Sequence, residues 1–91
     1  MEFEWDPNKA ARNLDKHSVS FNEAASVFGD PLSMTVADPD HSLDEDRFIV
    51  GLSNRGHLLI VAFAERGENV RLISARELTP HERKSYEEGN F

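Results

Sequence analysis

Four arginines, Arg47, Arg55, Arg71 and Arg76, fall on or beside three consecutive strand-like segments of this chain. Guanidinium groups grip phosphate and carboxylate through paired N–H donors. Neighbouring strands lie ~4.8 Å apart, so these side chains can gather into one anion-binding patch. Arg71 and Arg76 set a condition on it. They are five residues apart, and in a regular strand they point to opposite faces. They serve one site only if a bulge intervenes or if Arg76 lies past the strand end. Otherwise the arginines spread over two faces.

His41 and Glu45 lie in a polar segment, PDHSLDED at 39–46, just ahead of Arg47. Imidazole and carboxylate are general acids and bases; a solvated loop is the plain alternative. Tyr86, on the final helix, either packs beside the arginine patch or simply anchors its helix. Lys9, Arg12 and Lys16 share one helical face, which is either solvated or a contact for an RNA backbone. His17 ends that helix, where a protonated imidazole is favoured by ~0.3–1 kcal/mol through the helix dipole. The four histidines, at 17, 41, 57 and 81, show no metal-ligand spacing beyond His41-x-x-x-Glu45, which falls in the polar loop. No glycine-rich phosphate loop, dinucleotide fingerprint or nucleophile elbow is present. No metal and no cofactor is expected.

The formal charge is −7, which by itself argues against a nucleic-acid partner. It is unevenly spread. Residues 1–45 hold ten acids and three bases, residues 46–84 five acids and seven bases, six of them arginine. With 91 residues, one domain over 1–91 is expected, with a small core. No apolar run approaches the ~18 residues of a membrane span. The acidic start MEFEWDPNKA lacks the apolar stretch of a signal peptide, and the chain has no cysteine. A cytosolic protein without disulfides is the simplest expectation.

These side chains must be placed by few elements. EFEW alternates as a short edge strand would. Asp6-Pro7 opens a helix that runs to about His17. Ser20-Phe-Asn-Glu23 has capping-box spacing and precedes an apolar stripe of Phe21, Ala24, Ala25 and Phe28, which Gly29 and Pro31 end. LSMTVAD, RFIVGLS, HLLIVAFAE and NVRLISAR read as four strands joined by short loops, an antiparallel meander. In the second, Phe48, Val50 and Leu52 share one face, and Arg47, Ile49 and Gly51 the other. The third is too apolar for simple alternation and should be central, covered on both sides. Thr79-Pro80-His81-Glu82 opens a final helix. The order predicts an α+β fold: two N-terminal helices and a C-terminal helix on one face of a four-stranded antiparallel sheet.

FEWDPNKAARNLDKHSVSFNEAASVFGDP, DHSLDEDR and RLISARELTPHERKSYE follow one another along the chain. In combination these blocks resemble the BrnT family of type II toxins, from Phe3 to about Glu87. Where the family pattern reads K-H-G-V, this chain has Lys16-His17-Ser18-Val19. The resemblance implies a RelE/ParE-like fold and a ribonuclease that arrests translation. It also implies a BrnA-like antitoxin with a ribbon-helix-helix DNA-binding part. Toxin and antitoxin then form a hetero-oligomer that reaches DNA only through the antitoxin. For metal-independent cleavage, Arg71 and Arg76 are expected to clamp the phosphate, with Arg47 and Arg55 in support. His41 or Glu45 would move protons, and Tyr86 would position the substrate. The alternative is a non-catalytic module whose acidic half docks a basic partner chain.

Overall fold

The structure, a computed structural model, describes residues 1–37 and 46–91. Helix α1 spans Pro7–His17. Asp6 caps it, accepting the Asn8 N–H at 2.7 Å, and Pro7 takes a first-turn position that needs no donor. Ser18 stops it in the left-handed region at φ 58°, where serine costs ~1 kcal/mol relative to glycine. Helix α2 spans Phe21–Ser26 and continues as a 3-10 turn, Val27–Gly29. Ser20 Oγ accepts the Glu23 N–H at 3.0 Å, but the expected capping box is only half made. The Glu23 carboxylate turns inward to Ser53 and His57 instead.

Strands β1 (Phe3–Glu4), β2 (Met34–Ala37), β3 (Asp46–Leu52), β4 (Leu58–Arg66) and β5 (Asn69–Glu77) form one sheet in the order β1-β5-β4-β3-β2. The expected meander holds from β2 to β5, each strand antiparallel to the next. Two features depart from the predicted architecture. First, β1 adds a fifth strand, parallel to β5, with Phe3 opposite Val70 and Glu4 opposite Arg71. The long excursion between these two strands leaves their relative direction unconstrained by any hairpin. Second, helix α3 (Pro80–Glu87) packs on the other face from α1 and α2. The apolar run of β4 explains this, because both its faces need cover.

On one face, Ile49, Leu59, Val61 and Phe63 pack with Phe21, Ala24 and Val27 of the helical layer. Each large side chain buried here contributes ~1.5–3 kcal/mol. Edge-to-face aromatic pairs, Phe3–Phe28 at 5.1 Å and Phe28–Phe63 at 5.0 Å, tie β1 and the 3-10 turn to β4. On the other face, Val50 and Ile60 meet Leu78, with Tyr86 and Phe91 alongside. Thr79 and Glu82 close a complete capping box on α3.

The register of β4 and β5 slips between Ala62 and Phe63. Ala62 faces Ser74 and Phe63 faces Leu72, so Ile73 has no partner and forms a bulge. Arg71 pairs with Ala64, Ser74 with Ala62 and Arg76 with Ile60. Those β4 residues alternate on one face, so Arg71, Ser74 and Arg76 share it too.

Above the short β1, the edge of β5 would expose its backbone. Asn13 of α1, 7% exposed, fills the gap. Its Oδ1 accepts the Ala75 N–H at 3.0 Å, and its Nδ2 donates to the carbonyls of Ala75 and Val19, both at 2.9 Å. One side chain thus stands in for a neighbouring strand and fixes α1 against β5. Asn13→Ala leaves these buried backbone groups unpaired. A loss of ~2–4 kcal/mol in denaturant unfolding is expected; a loss below ~0.5 kcal/mol would show that water satisfies the edge just as well.

Candidate functional site

The face carrying Arg71, Ser74 and Arg76 is concave. Phe48, Ile60 and Ala62 form the floor of a cleft of about 650 Å³. Lys16 and His17, the last turn of α1, lie along one wall beside Ser74 and Arg76, and Glu82 of α3 lies along the cleft as well. A shallower groove of about 410 Å³ continues from it, lined by Lys9, Arg12, Lys16, His17 and Ser74. Lys16, His17 and Ser74 belong to both. The two concavities therefore make one track, bordered by the cationic face of α1. Asn13 holds that face at the edge of β5.

Arg76 is firmly held. Its Nη1 donates to Glu82 Oε1 at 2.7 Å and to the Glu77 carbonyl at 3.2 Å, and its Nη2 donates to Glu82 Oε2 at 3.0 Å. The Glu82 Oε1 also accepts the Thr79 N–H at 2.9 Å. Hydrogen bonds from Arg76 carry the Glu82 carboxyl down to about 2, against the opposing effect of its partial burial. The same pairing raises Arg76 above its ordinary value.

The other expected site residues are dispersed. Arg71 shares the face of Arg76 but stands five residues back along β5, ~15 Å away, outside the cleft lining. Its neighbour across the sheet is Glu4. Arg47 pairs in register with Phe63, so it points to the opposite face, where it meets Glu65 at 3.6 Å. Arg55 is exposed in the β3–β4 turn, on neither wall of the cleft. His41 and Glu45 lie outside the described residues. Tyr86 anchors α3: its hydroxyl donates to the Leu32 carbonyl at 3.0 Å, and its ring packs edge-on against Phe91 at 6.4 Å. Burial and the nearby Asp30 charge push the Tyr86 hydroxyl up from its ordinary value. Lys9, Arg12 and Lys16 do line the track. His17, assigned from sequence only to the helix dipole, lines both concavities. Its place directly after the Lys9-Arg12-Lys16 stripe was the available signal.

A second polar cluster lies on the opposite face. The Glu23 carboxylate, 5% exposed, accepts from Ser53 Oγ at 2.6 Å and meets His57 Nδ1 at 2.8 Å. Both contacts use Oε2, so Ser53 gives its proton directly to the acid rather than to the imidazole. That is not the relay of a nucleophilic serine. Ser53 Oγ also accepts the Arg55 and His57 N–H groups at 3.2 Å, so the cluster pins the β3–β4 turn to α2. Burial works to raise Glu23, but the bonds from Ser53 and His57 and the charges of His57 and Arg55 prevail, and it lies below its ordinary value. Among the described residues no group of three or more potential metal ligands gathers, and no helix is long and apolar enough to cross a membrane.

Fold and track together define a small α+β protein with a cationic groove on one sheet face. The family described as "Ribonuclease toxin, BrnT, of type II toxin-antitoxin system" matches residues 5–82, and the chain belongs to that family. Its fold is similar to the 1.1 Å crystal structure of the Brucella abortus ribonuclease toxin BrnT. The TM-score is 0.70 at 21% identity, over 87% of this chain and 97% of that one. No curated protein matches the chain.

Glu23 and Glu82 both bind a proton more weakly in the folded chain than at their ordinary 4.5. The stability they contribute is complete above that value and is lost as pH falls below it, for Glu82 down towards about 2. Thermal midpoints followed by circular dichroism are expected to hold level above this window and to drop through it. Glu23→Gln should lower the midpoint near pH 7 and flatten the drop; an unchanged acid limb would remove Glu23 from the cause.

Proposed function

We propose that this chain is a metal-independent endoribonuclease whose cutting of RNA arrests translation. A BrnA-like ribbon-helix-helix antitoxin neutralises it in a cytoplasmic hetero-oligomer. The observation that carries the reading is the cationic track from Lys9 through Arg12, Lys16 and His17 to Arg76, in a chain whose formal charge is −7. Acidic residues dominate the total, yet this groove gathers bases along the length a polyanion would need.

The chemistry requires three things. A base takes the proton of the ribose 2′-hydroxyl, whose oxygen attacks the adjacent phosphorus. Cations stabilise the extra negative charge on the pentacoordinate phosphorane. The P–O5′ bond then breaks and an acid protonates the 5′-oxygen, leaving a 2′,3′-cyclic phosphate and a 5′-hydroxyl. Arg76 fits the second role, with Lys16 beside it. Guanidinium is a poor acid, since its pKa exceeds ~12, so the protons go elsewhere. The imidazole of His17, in the same wall, is the group suited to moving them. Lys9 and Arg12 hold phosphates further along the strand, and Arg71 serves the opposite direction on the same sheet face.

The pairing of Arg76 with Glu82 and of Arg47 with Glu65 favours a second reading. With much guanidinium charge already compensated, the domain would be a docking module for a basic chain. Purified protein, stripped of partners and incubated with total RNA and a chelator, separates the two. Cleavage should persist in chelator, and Arg76→Ala and His17→Ala should each slow it ~100-fold or more while remaining folded. Intact RNA together with tight binding of a basic partner would favour the module. Wild-type rates in folded Arg76→Ala would remove the site from this groove.

A further inference from the structure

We infer that Glu82 is the positioning residue of the phosphate clamp, fixing Arg76 by one edge of its guanidinium so that the other edge is presented to an RNA phosphate. The inference rests on the ribonuclease reading above and deepens it.

A guanidinium has five N–H donors in a rigid plane. Three are spent inside the protein: both hydrogens of Nη1, on Glu82 Oε1 and the Glu77 carbonyl, and one hydrogen of Nη2, on Glu82 Oε2. The Nε hydrogen and the second Nη2 hydrogen have no partner among the described residues. These two hydrogens lie side by side and parallel, the fork that fits two oxygens of one phosphate. Glu82 takes the end of the guanidinium and leaves its side.

Helix capping alone does not explain this use of the carboxylate. The capping box needs a single bond to the Thr79 N–H, and Oε1 makes it. Among the described residues, Oε2 accepts a bond from Arg76 alone. An unrestrained arginine is a long, mobile side chain, and a transition-state donor out of place loses most of its value. The box also sets the geometry. Because Glu82 is the third residue of α3 and Arg76 is near the end of β5, the turn at Leu78–Thr79 brings carboxylate and guanidinium face to face at the cleft wall. The Thr79 N–H holds the acid while the acid holds the base.

Glu82→Gln tests this, since an amide oxygen can still cap Thr79 but the amide nitrogen cannot accept from Nη2. Cleavage of a mixed-sequence fluorogenic RNA oligonucleotide should show kcat reduced tenfold or more, with KM changed less than threefold. In the Arg76→Ala background, Glu82→Gln should add no further loss, because Glu82 acts only through Arg76. Thr79→Ala, which weakens the cap and leaves the ion pair, should keep at least half the wild-type kcat. If Glu82→Gln fails to fold, Glu82→Asp keeps the charge but shortens its reach, and the same loss is expected. An unchanged or raised kcat in Glu82→Gln overturns the inference, the latter marking Glu82 as a block on the site. So does a loss that adds to that of Arg76→Ala, or one matched by Thr79→Ala. If folded Arg76→Ala itself cuts RNA at the wild-type rate, the nuclease assignment of this groove fails first. An inactive Arg76→Ala beside a fully active Glu82→Gln removes only the role of Glu82.

Discussion

The bonds between Asn13 and Ala75 are the constraint on which the candidate site depends. β1 is only two residues long and pairs β5 at Val70 and Arg71. Beyond that point β5 has an open edge, and an open edge in a small domain must be hydrated, paired or covered. One amide side chain gives this edge both a donor and an acceptor, and also holds Val19 at the start of the next segment. The consequence is positional. α1 cannot slide along β5, so the turn that follows Asn13 brings Lys16 and His17 to the mouth of the cleft. The groove is the space left between a helix fixed at one edge of the sheet and a second helix, α3, on the concave face.

The bulge at Ile73 completes that geometry from the strand side. Without the extra residue, Arg71 and Arg76 would lie on opposite faces; with it, both share the face of Ala64 and Ile60. The two arginines are nonetheless unequal. Arg76 sits in the cleft with three of its donors engaged, while Arg71 lies further down the strand beside Glu4. The two faces also differ in what they hold. The larger core and the Glu23–Ser53–His57 cluster, with Glu23 and Ser53 buried, occupy the face of α1 and α2. The smaller cluster of Val50, Ile60 and Leu78 supports the floor of the cleft and the docking of α3. No residue of α3 is buried, so its position relies on Tyr86, on the Arg76–Glu82 pair and on its cap.

Much of the framework was legible in the sequence because it is written locally. Asp6-Pro7, Ser20 with Glu23, and Thr79-Pro80 with Glu82 mark helix starts through bonds made within four residues. The unbroken apolar run of β4 announces a strand covered twice. The alternation of Arg47 with Phe48 is local too, yet Arg47 was expected in the arginine patch and instead meets Glu65 on the other face. What escaped detection depends on distant partners. The bulge carries no glycine or other marker; Ile73 is an ordinary strand residue. Asn13 looks like any polar position in a helix until β5 comes beside it. Glu23 has a local role open to it and takes a tertiary one. β1 could not be oriented because its partner is more than sixty residues away. The family was legible through the combination of its sequence blocks, although the serine at Ser18 fills a position whose backbone suits glycine.

A polyanion lying along the α1–β5 track would meet Arg76 at its deepest contact. Titration of a 2′-O-methyl RNA oligonucleotide, which cannot be cut, followed by nitrogen–hydrogen NMR correlation spectra, reads such binding residue by residue. Saturable shifts are expected in the Arg76 Nε–H signal and in the backbone amides of Lys16, His17 and Ser74, weakening as salt rises. Shifts confined to the opposite face, around Arg47 and Arg55, with the Arg76 Nε–H signal unmoved at saturation, would contradict binding along the track.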